Sequence, residues 1–247
     1  MVLWRCFVAS GLITFFTFGC DYEANSSIEN SKQVVHEINV NQLLTEAKAS
    51  QKAKDLFDQA DQLLDKQRYQ DAINAYDKVI AIQSGSAEAW INRGNALASL
   101  QKYQEALESY NKAIAIKPDK DEAWYNQGNA LASLQKYQEA LGSYNKAIAI
   151  KPDKYAAWIN RGIALTKLQR YKQALISYDR AIAIKPNKDE AYYNKACTYA
   201  LQNNMELALE NLHKAIQMVP GKYQKLAKTD PDFNQVRSDK RFQELIN

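Results

Sequence analysis

AEAWINRGNALASLQKYQEALESYNKAIAIKPDK, residues 87–120, runs without a gap into DEAWYNQGNALASLQKYQEALGSYNKAIAIKPDK, residues 121–154. The two 34-residue stretches differ at four positions. A unit written twice in succession announces an array, so the period is settled before any other feature is read.

The same period extends outward to five units, 53–86, 87–120, 121–154, 155–188 and 189–222, beginning at Ala53, Ala87, Asp121, Tyr155 and Asp189. The fourth position reads Leu56, Trp90, Trp124, Trp158 and Tyr192; the eighth reads Ala60, Gly94, Gly128, Gly162 and Ala196. Alanine fills the twentieth in every unit, the twenty-fourth is Tyr76, Tyr110, Tyr144, Tyr178 and then Leu212, and prolines 118, 152, 186 and 220 mark the thirty-second. Within one unit Trp124, Gly128, Leu131 and Leu134 recur at helical spacing, and after a break Tyr137, Ala140, Leu141, Tyr144, Ala147 and Ile148 do so again. Each unit therefore predicts two amphipathic helices, the second stopped by Lys-Pro because proline lacks the donor that would continue it. Small eighth and twentieth residues let the two backbones approach closely, and the aromatic positions fill the space beside them. One hairpin cannot bury its apolar face alone, so neighbouring units must stack.

This pattern resembles the tetratricopeptide repeat, or TPR. The resemblance implies an all-α fold: a TPR α-solenoid of five helix-turn-helix repeats in a right-handed superhelix. DPDFNQVRSDKRFQELIN, residues 230–247, resembles the segment that closes many bacterial TPR arrays, so 223–247 is expected to be a C-terminal cap, with Phe233, Val236, Phe242 and Leu245 covering the last hairpin. At the other end, Leu43, Leu44 and Ala47 give 41–52 helical character, as a capping helix or as an extension of the first repeat's helix.

Composition narrows the function. Eight glycines in 247 residues and 46% hydrophobic content suit a helical array. The net charge of +4 arises from 32 basic and 28 acidic side chains interspersed along the repeats, which is a solvated surface and not a nucleic-acid footprint. His36 and His213 lie far apart, and neither a phosphate loop nor a nucleophile elbow occurs, so the reading is a non-enzyme with no cofactor and no metal.

The amino terminus is of another kind. Arg5 precedes a nearly apolar run over 7–18, too short for a membrane span and suited to a signal peptide, assigned to 1–20. Thr17-Phe18-Gly19-Cys20 resembles the lipobox of bacterial lipoproteins, which implies a diacylated Cys20; Gly19 and Cys20 match, Thr17 and Phe18 depart from the usual residues. An uncleaved signal anchor, or an ordinary signal peptide with an incidental cysteine, are the competing readings. Asp21 to Val40 is little apolar and is expected to form a flexible tether (21–40) to the membrane. Cys197 remains as a small hydrophobe buried in the fifth repeat.

In the TPR family the first helices line a concave groove, chiefly through the second, fifth, sixth, ninth, twelfth and thirteenth positions. The sixth position here reads Asp58, then Asn92, Asn126, Asn160 and Asn194. An asparagine amide donates to and accepts from a peptide unit, and the resemblance implies that such a row grips a partner's backbone. Copied, merely solvated amides are the alternative. Tyr125 and Tyr193, at the fifth position, serve as pocket walls or as packing between first helices, and Arg93 and Arg161, at the seventh, as a basic rim. The expected protein is a membrane-tethered scaffold of the cell envelope, holding a protein or peptide partner in its groove. A homodimer formed by exchange of hairpins, or a cytoplasmic adaptor whose first residues are not a signal, are the other readings.

Overall fold

A computed structural model describes the backbone of residues 20–247 and, apart from 20–31 and 34–38, their side chains. The signal-peptide and lipobox assignments over 1–19, and the Cys20 side chain, lie outside the described residues. The chain divides into two compact units at Gln51 and Lys52.

In the first unit the described residues belong to one helix, α1 (Cys20–Asp65), which continues into the second unit. Helix stands where a flexible tether is expected over 21–40, and of the two readings for 41–52 the extension of the first repeat's helix is the one seen; 20–65 contain neither glycine nor proline to stop it. Val40, Leu43 and Leu44 are exposed on it.

In the second unit the end of α1 pairs with α2 (Tyr69–Ile82). The pairs α3 (Ala87–Ser99) and α4 (Tyr103–Ile116), α5 (Asp121–Ser133) and α6 (Tyr137–Ile150), α7 (Tyr155–Lys167) and α8 (Tyr171–Ile184), and α9 (Asp189–Leu201) and α10 (Met205–Met218) follow at the same period. Strands are absent among the described residues. Each pair packs internally and against its neighbours, which is the five-repeat solenoid.

The eighth position explains the closeness of each pair. A Cβ placed on Gly94 or Gly128 would lie 2.5 or 2.6 Å from the ring of Tyr110 or Tyr144, and one on Gly162 would collide with Tyr178. In these three repeats the twenty-fourth tyrosine thus occupies the space a side chain at the eighth would need, whereas the first repeat carries Ala60 sixteen residues before Tyr76. Between the helices of every pair one residue adopts positive φ: Gln67, Gln101, Gln135, Gln169 and Asn203, at 56–60°. In the third repeat Lys136 N–H donates to Leu131 O at 2.8 Å and Gln135 N–H to Ala132 O at 2.9 Å, the bonding of a Schellman turn. This turn is built five times without glycine. Second helices end where Lys117, Lys151 and Lys185, each before proline, leave the helical region at φ −129 to −136°. The indole N–H groups of Trp124 and Trp158 donate to Pro118 and Pro152 carbonyls at 2.9 Å, fastening each first helix to the preceding turn.

The closing segment consists of α11 (Lys222–Thr229), a 3-10 turn (Pro231–Phe233) and α12 (Lys240–Ile246). Phe233, Val236 and Phe242 are completely buried against α9 and α10, Ile246 is buried beside them, and Leu245 packs at the edge. Arg237 secures the segment by donating to the carbonyls of Ala227 (3.1 Å), Lys228 and Asp230 (2.6 Å), the last acceptors of α11. The main apolar core is divided: one cluster runs through the first four repeats, and a second joins α9, α10 and the closing segment. A small cluster of Ile159, Ala181 and Ala191 lies across the division.

Candidate functional site

The asparagine row does form a line along the first helices, but its amides are partly committed to the fold. Asn92 donates to Asp61 at 3.1 Å, Asn126 to Asn95 at 2.9 Å, and Asn160 to Asn129 at 2.8 Å and to the Tyr125 hydroxyl at 3.1 Å. Each of the three thus donates to the ninth residue of the preceding repeat. That same oxygen receives the hydroxyl of its own repeat's tyrosine: Tyr76 to Asp61 at 2.5 Å, Tyr110 to Asn95 at 2.9 Å, Tyr144 to Asn129 at 3.0 Å. One carbonyl or carboxylate oxygen therefore collects two donors, one from within the repeat and one from the next. Burial of the ring raises the pKa of all three tyrosines well above the usual phenol range, and for Tyr76 the neighbouring Asp61 carboxylate adds to it.

The row stops at the fourth repeat, where the ninth residue is Ile163. Asn194 turns instead to the Glu190 carbonyl of its own helix, at 2.8 Å. The Tyr178 hydroxyl, deprived of its acceptor, meets Thr166 Oγ1 at 3.2 Å, and Thr166 in turn meets Thr198 at 2.9 Å across the seam. Threonine at that position, where the two preceding repeats carry Ala98 and Ala132, supplies what isoleucine removes. An amide has two N–H groups and one oxygen, so asparagines 92 and 126 keep an N–H and the oxygen for a ligand after bonding across the seam.

The other candidates separate. Tyr125 is half-buried, with Lys154 Nζ 4.7 Å from its ring centre and Asn160 on its hydroxyl, at the edge of the asparagine line. Tyr193 is buried and belongs to the closing segment: its ring stacks on Tyr223 at 4.7 Å and its hydroxyl donates to Asp230 at 2.7 Å. Arg93 and Arg161 stand apart from the asparagines. Arg93 bonds Asp77 (2.7 Å) and Ser109 (2.8 Å), and Arg161 bonds Asn145 (2.7 Å) and Ser177 (2.5 Å), so each ties its first helix to two second helices. Both guanidinium groups also lie over indole rings, of Trp90 and Trp158.

Two hollows open on the first-helix face. The smaller, about 230 Å³, lies between α5 and α7 and is lined by Asn129, Ala132, Ser133, Tyr137, Asn160 and Ile163. The larger, about 470 Å³, follows it, sharing Ile163 and running between α7, α9 and the closing segment to Asp230 and Asp232. Folding brings Cys197, Asp230 and Asp232 within 4.8 Å of one another, a grouping that their separation in sequence conceals. Burial pushes the Cys197 thiol up, and it donates to Asp230 at 3.7 Å, so it stands there as a neutral S–H. The ninth-position acceptors and these two aspartates were the residues missed in the sequence. The first were visible in the same alignment as the asparagines; the second required the closing segment to fold back.

Two family models described as tetratricopeptide repeat match the sequence, one over residues 57–121 and again over 125–189, the other over 189–220. The chain belongs to the tetratricopeptide repeat family. No curated protein matches it. Among solved structures it is similar to YrrB, a TPR protein with an unusual peptide-binding site, at 27% identity and a TM-score of 0.59, over 67% of this chain and 86% of that one. MamA from Desulfovibrio magneticus RS-1 aligns at 20% identity and a TM-score of 0.64, over 68% and 94% of the two chains. PilW, a type IV pilus biogenesis factor, aligns at 21% identity and a TM-score of 0.65, over 80% and 99%. At those identities MamA and PilW attest the TPR fold alone.

Proposed function

We propose that this TPR array is a protein–protein interaction scaffold that holds an extended segment of a partner along its first helices. The observation that carries the reading is the line of asparagine amides, Asn92 and Asn126 with an N–H and the oxygen left over and Asn160 with its oxygen, the last of them lining the 230 Å³ hollow. Amides fixed by one bond are pre-oriented, so their remaining groups meet a peptide backbone at little entropic cost. The peptide-binding site of YrrB supports the reading by similarity. Family membership and the absence of a catalytic constellation in the sequence favour binding over chemistry.

The test is selection of a random displayed peptide library on the full chain, followed by measurement with the synthetic peptides it yields. Ser133 is exposed and lines the hollow, so Ser133→Trp should fill it and abolish binding while the circular dichroism spectrum stays unchanged. Peptides that bind the variant as well as the wild type place the interaction elsewhere.

The place of action is part of the same proposal: a lipid-anchored protein of the cell envelope, attached through Cys20. Gly19-Cys20 at the end of an apolar run supports it, and several acyl chains would make the attachment stable where one would not. Among the described residues no helix is long and apolar enough to cross a membrane. Intact mass of the protein from its native membranes, compared with Cys20→Ser, decides it: an acylated chain beginning at Cys20 is expected, and an unmodified chain retaining Met1 removes the anchor.

A further inference from the structure

We propose that the 470 Å³ cavity at the end of the first-helix face receives a lysine or arginine side chain of the bound partner segment. The inference rests on the groove reading above and adds a sequence preference to it.

Its geometry continues the binding face. Ile163 lines both hollows, so a segment lying beside Asn160 passes directly to the larger cavity. Asp230 and Asp232 form its inner wall. The Asp230 oxygens are occupied: they accept from the Tyr193 hydroxyl at 2.7 Å, the Cys197 thiol and the Asp232 N–H at 3.0 Å. Asp232 is not so provided. Its side chain is 21% exposed, and its cationic neighbour, Lys167, stands 3.8 Å away with 46% of its own side chain in solvent. Two carboxylates thus face one loosely held ammonium. Sheltering a carboxylate without a close partner is unfavourable, and burial accordingly raises the pKa of Asp232. An incoming cation would supply the missing charge-assisted bond.

The remaining lining suits the stem of such a side chain. Leu226 on α11 is 45% exposed, and with Ile163 and the Thr166 methyl it offers an apolar wall to methylene groups. Asn194, whose N–H serves Glu190, has its oxygen as an acceptor. Other occupants fit less well. An acidic side chain meets two carboxylates. A divalent metal would find the Asp230 oxygens already engaged by Tyr193, Cys197 and the Asp232 N–H.

The experiment uses the peptides selected on the full chain in buffer containing EDTA. They are expected to be enriched in lysine or arginine. Exchanging that residue for norleucine, or introducing Asp232→Asn, should each weaken binding about tenfold or more, and the two changes together should cost little beyond either alone. Should Asp232→Asn fail to fold, the norleucine peptide on the wild-type chain still decides the point. Peptides that bind without basic enrichment, or that ignore Asp232→Asn, overturn the subsite and leave the groove reading standing. Failure to select any peptide overturns both.

Discussion

The oxygen at the ninth position is the smallest unit that explains the array. It accepts a buried tyrosine hydroxyl from its own repeat and an amide from the next, so one residue specifies both the hairpin and the stacking. Asn129→Leu should leave the Tyr144 hydroxyl and one Asn160 N–H without their acceptor and cost about 1–3 kcal/mol in urea unfolding. Thr166→Ala should remove the partner of the Tyr178 hydroxyl and the bond to Thr198 in the fourth repeat, whereas the third repeat does without a hydroxyl at Ala132 because Asn129 serves Tyr144. Gly128→Leu places a side chain where the Tyr144 ring lies and should cost about 1–3 kcal/mol, a figure that unchanged unfolding would refute. Charge contributes less. Glu88 is held down to about 2, first by its hydrogen bond from Lys120 and then by its own helix-terminal N–H. A carboxylate with a depressed folded pKa stabilises above its ordinary value, and that contribution is lost as pH falls from about 4.5 toward 2. The pair is open to solvent, so screening keeps the effect small. Comparing urea midpoints of wild type and Glu88→Gln at pH 6 and at low pH, about 2 to 3, should show the difference shrinking on acidification.

At the scale of the element, the turn inside each hairpin is held by hydrogen bonds strong enough to place glutamine in the left-handed region. Gln135→Gly should be neutral or slightly stabilising, since relief of the left-handed strain offsets glycine's greater loss of freedom. Gln135→Val should cost at least about 1 kcal/mol, because a β-branched residue is an outlier there; thermal unfolding of the two variants separates them. Helix boundaries, pairing and the period were legible in the sequence because glycine, tyrosine and proline recur at fixed offsets. Three things were not. The helix over 20–40 was concealed by its polar composition, which suggested a coil although no residue in it breaks a helix. The asparagines announced a binding face, but their bonds to Asp61, Asn95 and Asn129 depend on how repeats stack, which no single repeat records. Arg93 and Arg161 carry charge that composition reads as a rim, yet serines and an aspartate on second helices hold them on the other side.

Across the whole array, the same divide appears twice. The principal apolar core ends within the fourth repeat and another begins in the fifth, and the ninth-position oxygen is missing at that very seam, where Ile163 stands. The bond between Thr166 and Thr198, the ion pairs of Lys195 with Asp179 at 2.6 Å and of Lys167 with Asp232 at 3.8 Å, and the small cluster around Ala191 cross it. In a solenoid each repeat is supported by its neighbours, so a poorer interface lowers the cost of opening there. Native-state hydrogen exchange should find amides of 189–229 opening together at a lower free energy than those of α4 to α6, and a uniform profile would contradict it. The larger hollow lies across this seam, and the smaller adjoins it through Ile163 on the side of the earlier repeats. Stretched between its ends, the protein would part there first, like a fuse in a circuit, and a partner lying across both hollows would bridge the fuse, making the occupied scaffold the harder one to pull apart.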